Sequence, residues 1–489
     1  MSIDIGTRRQ LFIDDLLIDG MEDVDLRLHA PESRGIVLEL KEAWEGSTVD
    51  YHTVVKDGNL YRMWYRGPSH WGYVAESMLG PAEAVVPVHD EAMSYAESLD
   101  GVHWTKPSLG LCEFNGSKDN NIFWSGKATD LVPFLDGNPA APPDQRYKAI
   151  GRGRVDLETG ELRDSTESLA RREPDKPPPR NKARPATREV LLALASPDGI
   201  HWRYLQEEPI LEDPPFDTQN VPFWDSIRGH YAIYVRGKAG ASGSFGGGVR
   251  WIRQATSPDF IHWTPLRDID TGEEPREHLY TNATTPYFRA PEVYLAFPRR
   301  MHPERRRHDD APWPGLSDTV FMSSRDGLHF DWRFRESFIR PGRDPRNWMS
   351  RTNLVANGIV PTGKGEMSLY VLRNRDFPSC HFERMALRLD GFVSAHAGYS
   401  GGVLTTRPLA FCGREMELNY ATSAMGSVVV EVLDHRGEVA ATSGEIFGDA
   451  TDERVAWTAG NLDRLTDQPI RLRFRLLDAD LYSFRFCHA

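Results

Sequence analysis

The sequence lacks any long apolar run, and its four cysteines form no Cys-x-x-Cys pair. The longest apolar stretches are as short as residues 367–372, whereas a membrane helix needs about 18–20 apolar residues. The first residues show no basic head followed by an apolar segment, so no signal peptide is predicted. We therefore expect a cytoplasmic protein with reduced cysteines and no disulfide framework.

Positive charge is also scarce. Lys and Arg number 58 against 71 Asp and Glu, which gives a formal net charge of −13. Because nucleic-acid binding depends on basic residues clustered at the phosphates, this balance argues against a nucleic-acid partner. Hydrophobic residues make up 40% of the chain, which is enough for a large folded core.

Several familiar catalytic motifs are missing or misplaced. There is no P-loop and no His-Glu-x-x-His pair. The one Gly-x-Ser-x-Gly match, at 398–402, is not followed by a helical pattern, so it is interpreted as a linker rather than a nucleophile elbow. The glycine-rich run 240–248 lies between two predicted strands, which favours a hairpin loop over a phosphate cradle. Neither a cofactor nor a metal site is predicted.

What the sequence does contain is a repeat. A box with Ser, Asp and His at fixed spacing, followed by an aromatic residue, occurs at 98–104, 196–202, 257–263 and 324–330, with a degenerate copy at 389–392. Ser and Asp side chains can bond their own backbone and Gly accepts a positive φ, so each box predicts a tight turn. The box histidines are therefore interpreted as turn residues rather than metal ligands; they are His103, His201, His262 and His329.

A second repeat alternates with these boxes. It is an aromatic strand that begins at Tyr61, Tyr147, Tyr231, Tyr294 or Tyr370; the first four are followed five residues later by Arg, and the last is followed after three by Arg373. Five such strands, with almost no helical periodicity, predict five copies of one small sheet. We predict an all-β protein: a five-bladed β-propeller over 1–395, with a polar insertion at about 155–188, then a β-sandwich over 396–489.

The inner strands of propeller blades converge on one channel, so polar residues ahead of each aromatic strand are candidate site residues. Asp50 and Asp136 each lie 11 residues before their tyrosine, and Asp217 lies 14 before. Carboxylates crowded in a partly dry channel repel one another, so their pKa values spread apart. One can then stay ionised as base or nucleophile while another stays protonated as acid, as glycoside hydrolysis requires. These three are predicted to be catalytic, and Glu366, which precedes the fifth aromatic strand, is a further candidate.

Amide, aromatic and charged side chains near these positions are predicted to bind substrate. Amides offer paired donors and acceptors to sugar hydroxyls, and tryptophan can stack on a sugar ring. The predicted binding residues are Trp44, Glu45, Arg66, Asn120, Asn121, Asn138, Gln219, Asn220, Asn282 and Arg351. The expected partner is a carbohydrate substrate, with no nucleic acid and no membrane; the sequence leaves a homo-oligomer open.

The segment from Asp50 to the strand Asp57-Gly58-Asn59-Leu60-Tyr61 resembles the first blade of the five-bladed propeller glycosidases of glycoside hydrolase families 32, 43 and 68. The likeness covers roughly 1–395 and is strongest to a bacterial family 32-like group. It implies that Asp50 is the nucleophile or base and that Asp136 or Asp217 holds the sugar. The Asn-Asp-Pro-Asn signature is absent, Arg343-Asp344-Pro345 comes too late in the chain, and no Glu-Cys-Pro or Glu-Gly-Pro motif assigns the general acid.

Three functions fit these observations. The first is a glycosidase acting on a small oligosaccharide or glycoside. The second is a glycoside phosphorylase or lyase on the same scaffold, which for phosphorolysis would need a cationic pocket from residues such as Arg66, Arg236 or Arg351. The third is a carbohydrate-binding propeller without catalysis, because a fold does not fix a function.

Overall fold

The computed structural model describes residues 2–46, 48–69, 89–164, 186–239, 248–272, 276–309, 315–463, 465–466 and 468–488. Within them the chain forms 36 strands and two short 3₁₀ helices, Pro143–Gln145 and Pro345–Asn347, and no α-helix. The prediction of an all-β protein is confirmed. In the same residues, no helix has the length and apolar character to cross a membrane.

The repeat region forms five antiparallel sheets in chain order. Sheet I contains Asp50–Asp57, Leu60–Ser69, His89–Ser98 and Ile122–Trp124. Sheet II contains Thr129–Leu135, Tyr147–Asp156, Thr187–Ser196 and Arg203–Tyr204. Sheet III contains Val221–Asp225, His230–Ala239, Val249–Ser257 and Arg267–Asp268. Sheet IV contains Thr285–Tyr287, Ala290–Ala296, Met322–Ser324 and Phe330–Asp331.

Sheet V combines the two ends of the repeat region. Its strands are Leu354–Val355, Val360–Gly363, Glu366–Arg373, His381–Arg388 and the early strand Glu32–Glu39. A three-stranded sheet of His278–Leu279, Arg299–His302 and Leu316–Thr319 adjoins sheet IV in sequence. Because Glu32–Glu39 pairs with His381–Arg388, the chain's start is tied to the end of the fifth repeat.

Successive sheets share hydrophobic cores, and the series closes on itself. Each cluster contains buried residues of two neighbouring sheets, and one of them joins sheet V to sheet I. Representative pairs are Trp64 with Tyr147, Ile150 with Tyr231, Phe223 with Tyr294, Leu295 with Met367, and Leu372 with Tyr61. The repeat tyrosines therefore belong to the packing between sheets, where burial of large aromatic rings contributes most.

The four boxes with Ser, Asp and His are tight turns, as predicted, and Phe260 stands with φ +71° where the other three have Gly. In the first box Asp100 Oδ1 accepts the backbone N–H groups of Val102 and His103, both at 2.8 Å, and Asp100 Oδ2 bonds His103 Nδ1 at 2.7 Å. The same bonds recur in the other three boxes. The histidine thus completes a turn of its own box.

Box glycines also join neighbouring sheets. Gly101 O accepts the hydroxyl of Tyr370 at 2.6 Å, Gly199 O accepts Trp64 Nε1 at 2.8 Å, and Gly327 O accepts the hydroxyl of Tyr234 at 2.6 Å. Each of these boxes therefore forms a turn and also accepts a hydrogen bond from the neighbouring sheet.

The C-terminal region forms a ten-stranded antiparallel sheet dominated by the long strands Glu415–Leu433 and Arg471–Cys487. Its other strands are Gln10–Leu11, Ile18–Glu22, Asp25–Leu28, Val393–Ala397, Gly402–Thr406, Val439–Ser443, Asp449–Arg454 and Trp457–Gly460. Ile3–Gly6 pairs in parallel with Leu409–Phe411. Strands within residues 3–28, which the sequence assigned to the repeat region, therefore pair with the C-terminal region.

Two predicted loops lie largely outside the described residues. The polar insertion at about 155–188 includes 165–185, and the glycine-rich run 240–248 includes 240–247. The insertion joins strand Tyr147–Asp156 to strand Thr187–Ser196, and Asp156 at the end of the first strand pairs with Thr187 at the start of the second. The strands on either side of the insertion are therefore neighbours in sheet II.

The joint between sheets V and I depends on a glycine. Val54 N–H donates to Asn357 O at 2.8 Å, and at Gly358, with φ +104°, an added Cβ would lie 2.0 Å from Val54 O. We expect Gly358→Ala to lower the free energy of unfolding by about 2–3 kcal/mol, since backbone strain adds to the clash. Gly229→Ala, with φ +69° and open space, should cost only about 1 kcal/mol. Urea unfolding measures both; equal losses would contradict the proposed clash.

Candidate active site

One arginine from each repeat is buried near the centre of the sheets. Arg66, Arg152, Arg236 and Arg299 each lie five residues after a repeat tyrosine, and Arg375 lies five after Tyr370. Arg66 and Arg152 pair in register with Asp50 and Thr129 at the start of the neighbouring strand. In sheets I and II the repeat therefore places an arginine at an equivalent register position.

Two aspartates, from sheets I and II, link three of these arginines. Asp50 Oδ2 lies 3.1 Å from Arg66 Nη2 and 2.8 Å from Arg375 Nη2. Asp130 is fully buried, with 2.9 Å from Oδ1 to Arg66 Nη1 and 2.6 Å from Oδ2 to Arg152 Nη2. The chain of contacts thus runs from Arg375 through Asp50, Arg66 and Asp130 to Arg152.

Arg152 carries the network to two carboxylates that reach solvent. Its Nη1 lies 3.2 Å from Asp217 Oδ1 and 3.1 Å from Glu189 Oε1, and these side chains are 30% and 22% exposed. Glu189 Oε2 also accepts the backbone N–H groups of Phe216 and Asp217 at 2.7 and 3.1 Å. Asp217 and Glu189 are therefore held side by side by one guanidinium nitrogen.

Arg152, which contacts both carboxylates, also lines a small cavity. The cavity has a volume of about 30 Å³, and its other lining residues include Glu91, Thr129 and Arg154. Arg154 binds Glu91 with both Nη atoms, at 3.2 and 3.3 Å. Most of the lining residues are charged, so the cavity suits a polar group better than an apolar one.

The environments of the aspartates push their pKa values in opposite directions. Burial would raise the pKa of Asp217, but the guanidinium groups of Arg152 and Arg236 bring it below its ordinary value. Burial raises the pKa of Asp130 above its ordinary value despite Arg152 and Arg66, and the charge of Glu91 adds to the rise. Asp217 is therefore a carboxyl of this network whose surroundings favour the ionised form.

Of the predicted site residues, four belong to this network: Asp50, Asp217, Arg66 and Arg351. The carbonyl of Arg351 accepts Arg299 Nη1 at 2.7 Å. Gln219 lies close by, because its Nε2 donates to His52 O at 2.8 Å.

The structure does not bring Asp136 or Glu366 to the network. Asp136 is bonded to Lys148 and to the hydroxyl of Tyr231, at the opposite end of its strand from Asp130. Asn138 belongs to the same loop and bonds the Tyr231 hydroxyl at 2.9 Å. Glu366 pairs with Arg384 at 2.8 Å in sheet V. These carboxylates hold local structure.

The remaining predicted binding residues also have structural partners. Trp44 Nε1 donates to Asn121 Oδ1 at 2.6 Å, and Asn121 Nδ2 donates to Tyr95 O at 2.6 Å. Glu45 is buried against Tyr65 and Lys106, both at 2.6 Å, and burial raises its pKa. Asn120, Asn220 and Asn282 each bond backbone carbonyls of their own surroundings. Their amides serve turns and strand ends.

Five residues of the network were not predicted from the sequence: Asp130, Arg152, Glu189, Arg299 and Arg375. The five-residue spacing after each tyrosine was the signal for Arg152 and Arg299, and it extends to Arg375 in the fifth repeat. In the described part of the chain, no group of three or more His, Cys, Asp or Glu side chains is arranged to hold a metal ion.

Comparison with known proteins yields structural likenesses only. No protein-family model and no curated protein matches the sequence. A family 43 arabinoxylan arabinofuranohydrolase from Bacillus subtilis is 12% identical, with a TM-score of 0.40 and coverage of 93% of this chain and 99% of that one. A family 32 β-fructofuranosidase from Bombyx mori is 10% identical, with a TM-score of 0.41 and coverage of 94% and 95%. A β-1,2-mannobiose phosphorylase from Listeria innocua is 11% identical, with a TM-score of 0.41 and coverage of 78% and 96%. The chain is thus similar to solved glycoside hydrolases of families 32 and 43 and to a glycoside phosphorylase.

Proposed function

We propose that the protein is a glycosidase that cleaves a small oligosaccharide or glycoside at the carboxylates Asp217 and Glu189. The observation that carries this proposal is their common contact with Arg152 Nη1, at 3.2 and 3.1 Å, with both carboxylates partly exposed to solvent. Glycoside hydrolysis needs two carboxyl groups on either side of the scissile bond, one ionised and one able to give a proton.

The electrostatics supports the role of Asp217, and Glu189 is assigned the other role by its position beside Asp217. Asp217, whose pKa is lowered by Arg152 and Arg236 against the effect of burial, is the ionised member and acts as nucleophile or base at the anomeric carbon. Glu189 then protonates the glycosidic oxygen as the bond to the anomeric carbon breaks. Asp50 and Asp130 orient the arginines rather than touch substrate, since both side chains are almost fully buried.

The spacing favours a retaining mechanism. Asp217 Oδ1 and Glu189 Oε1 contact the same nitrogen, at 3.2 and 3.1 Å, so the two carboxylates lie close together. Retaining glycosidases separate their carboxyl groups by about 5–5.5 Å, and inverting ones by about 6.5–9.5 Å. We therefore propose that Asp217 is the nucleophile of a double displacement.

The same proposal includes the architecture. Five sheets whose shared cores form a closed series are the expected signature of a five-bladed β-propeller, and the C-terminal sheet with its long paired strands is the proposed sandwich. We propose that the propeller ends and the sandwich begins near residue 395, and that the strands within residues 3–28 belong to the sandwich. The active-site carboxylates and arginines then come from neighbouring blades.

A panel of aryl glycosides and oligosaccharides, assayed with and without phosphate, tests the function. We expect hydrolysis without phosphate, and proton NMR should show the first-formed anomer with the substrate's configuration. Strict dependence on phosphate would instead establish a phosphorylase, which the surrounding arginines would also suit. Absence of turnover with retained sugar binding would indicate a binding propeller.

A further inference from the structure

Arginines gather around one tyrosine at the edge of the network. The guanidinium groups of Arg299, Arg236 and Arg250 lie 4.8, 5.2 and 5.6 Å from the ring centre of Tyr280. They come from different strands of sheet III and from Arg299–His302, which pairs with His278–Leu279 next to Tyr280. Three cations within this distance of one partly buried ring repel one another strongly.

Carboxylates are scarce on this side of the network. Arg299 is 3% exposed, its Nε has no hydrogen-bond partner, and in the described part of the chain neither Arg299 nor Arg250 forms an ion pair with a carboxylate. Only Arg236 approaches one, Asp217 Oδ2 at 3.5 Å. A buried cation without a counter-charge is costly. An anion from outside the chain would remove that cost.

This arginine group borders the proposed catalytic carboxylate. Arg236 Nη1 donates to Asp217 O at 3.0 Å, and Thr218 Oγ1 donates to Tyr280 O at 3.1 Å. The hydroxyls of Tyr280 and Tyr51 are 2.8 Å apart, and Tyr51 follows Asp50 in the chain. An anion bound here would therefore sit next to a substrate at Asp217.

We propose that Arg236, Arg250 and Arg299 form an oxyanion subsite beside Asp217, an inference that rests on the proposed function for its place in catalysis. Arginine suits this role because its planar fork binds carboxylate and phosphate with paired hydrogen bonds. The oxyanion is either a carboxylate of the sugar substrate, as in a uronic acid, or free inorganic phosphate. Burial and the charges of Arg236 and Arg299 lower the pKa of Arg250, which is the strain that a bound anion relieves.

Calorimetric titration of the full chain with potassium phosphate, sodium D-glucuronate and neutral D-glucose tests the subsite. We expect at least one anion to bind and to raise Tm, and glucose to do neither. Arg250→Gln should weaken anion binding about tenfold or more while leaving Tm without anion unchanged or higher, because it removes repulsion. Arg299→Gln is a second variant, and Arg454→Gln on the C-terminal sheet is the control.

The two anions distinguish the sources. Binding of phosphate alone assigns free phosphate, and binding of glucuronate assigns the substrate's own carboxylate. If neither anion binds, or if both arginine variants bind as the unmodified protein does, the subsite is refuted. The titration measures binding and not turnover, so it tests the subsite independently of the proposed function. If the protein binds an anion but cleaves no glycoside of the panel, only the proposed function is refuted.

Discussion

Asp217→Asn should reduce kcat by about 10³-fold or more while the fold stays intact. The amide keeps the size and the contact with Arg152 but cannot attack the anomeric carbon or accept a proton, and single acid–base or nucleophilic groups contribute rate factors of this order. The measurement is kcat and kcat/KM on the best substrate of the panel, with circular dichroism and Tm as the check of folding.

Glu189→Gln separates the two roles. A general acid matters most when the leaving group is a poor one, so this variant should lose far more activity on alkyl glycosides than on dinitrophenyl glycosides. Asp217→Asn should lose activity on both. An equal loss on both substrates in Glu189→Gln would remove it as the acid.

Asp136→Asn is the matched control for these variants. Asp136 is also a buried aspartate of the repeat region, bonded to Lys148 and Tyr231, but it has no contact with the arginine network. Its replacement should leave kcat unchanged and lower only stability. Full activity in Asp217→Asn together with inactivity in Asp136→Asn would reverse the assignment made from the structure.

The contrast between Asp136 and Asp130 shows why sequence spacing locates the site only in part. Both Asp50 and Asp136 lie 11 residues before a repeat tyrosine, but the hairpins differ in length. In sheet I Asp57 pairs with Leu60, whereas in sheet II Leu135 pairs with Tyr147. In sheet II the 11 residues before the tyrosine are the loop 136–146, whereas in sheet I most of them belong to the first strand. The residue equivalent to Asp50 therefore lies earlier in the chain than Asp136, near Asp130.

The features that sequence did predict are those fixed by local chemistry. A turn box needs only the side chains within it, and the aromatic strands are recognised by composition, so five sheets could be counted in advance. The arginine network depends instead on partners from different repeats, such as Arg375 with Asp50, which lie 325 residues apart. The amides of Asn120 and Asn121 look suited to sugar hydroxyls, but their bonding groups are already used within the fold.

Replacing Arg152 by Met should lower the free energy of unfolding by about 3–5 kcal/mol at pH 7. Arg152 is 2% exposed and is the common partner of Glu91, Asp130, Glu189 and Asp217. Met fills much of the volume of Arg152 but carries no charge, so several buried or half-buried carboxylates lose their main counter-charge. Removing one partner of a buried ion pair is strongly destabilising because it leaves the other charge uncompensated. Arg188→Met is the control in the same sheet, since the pair of Arg188 with Glu212 is exposed and worth at most about 1 kcal/mol.

The pH dependence distinguishes lost charge from lost packing. In the unmodified protein the pKa of Asp217 is lowered by Arg152 and Arg236 although burial opposes this, so its stabilising contribution is present above its unfolded pKa and is lost as pH falls. Without Arg152 the folded-state pKa of Asp217 rises. In the Arg152→Met protein, Asp217 therefore takes up a proton as pH falls, and the destabilisation caused by its uncompensated charge becomes smaller. The difference in stability between the two proteins should therefore narrow from pH 7 to about pH 4 in urea unfolding experiments. A difference that stays constant over this range would mean that Arg152 acts through packing, and would remove the electrostatic basis for an ionised Asp217.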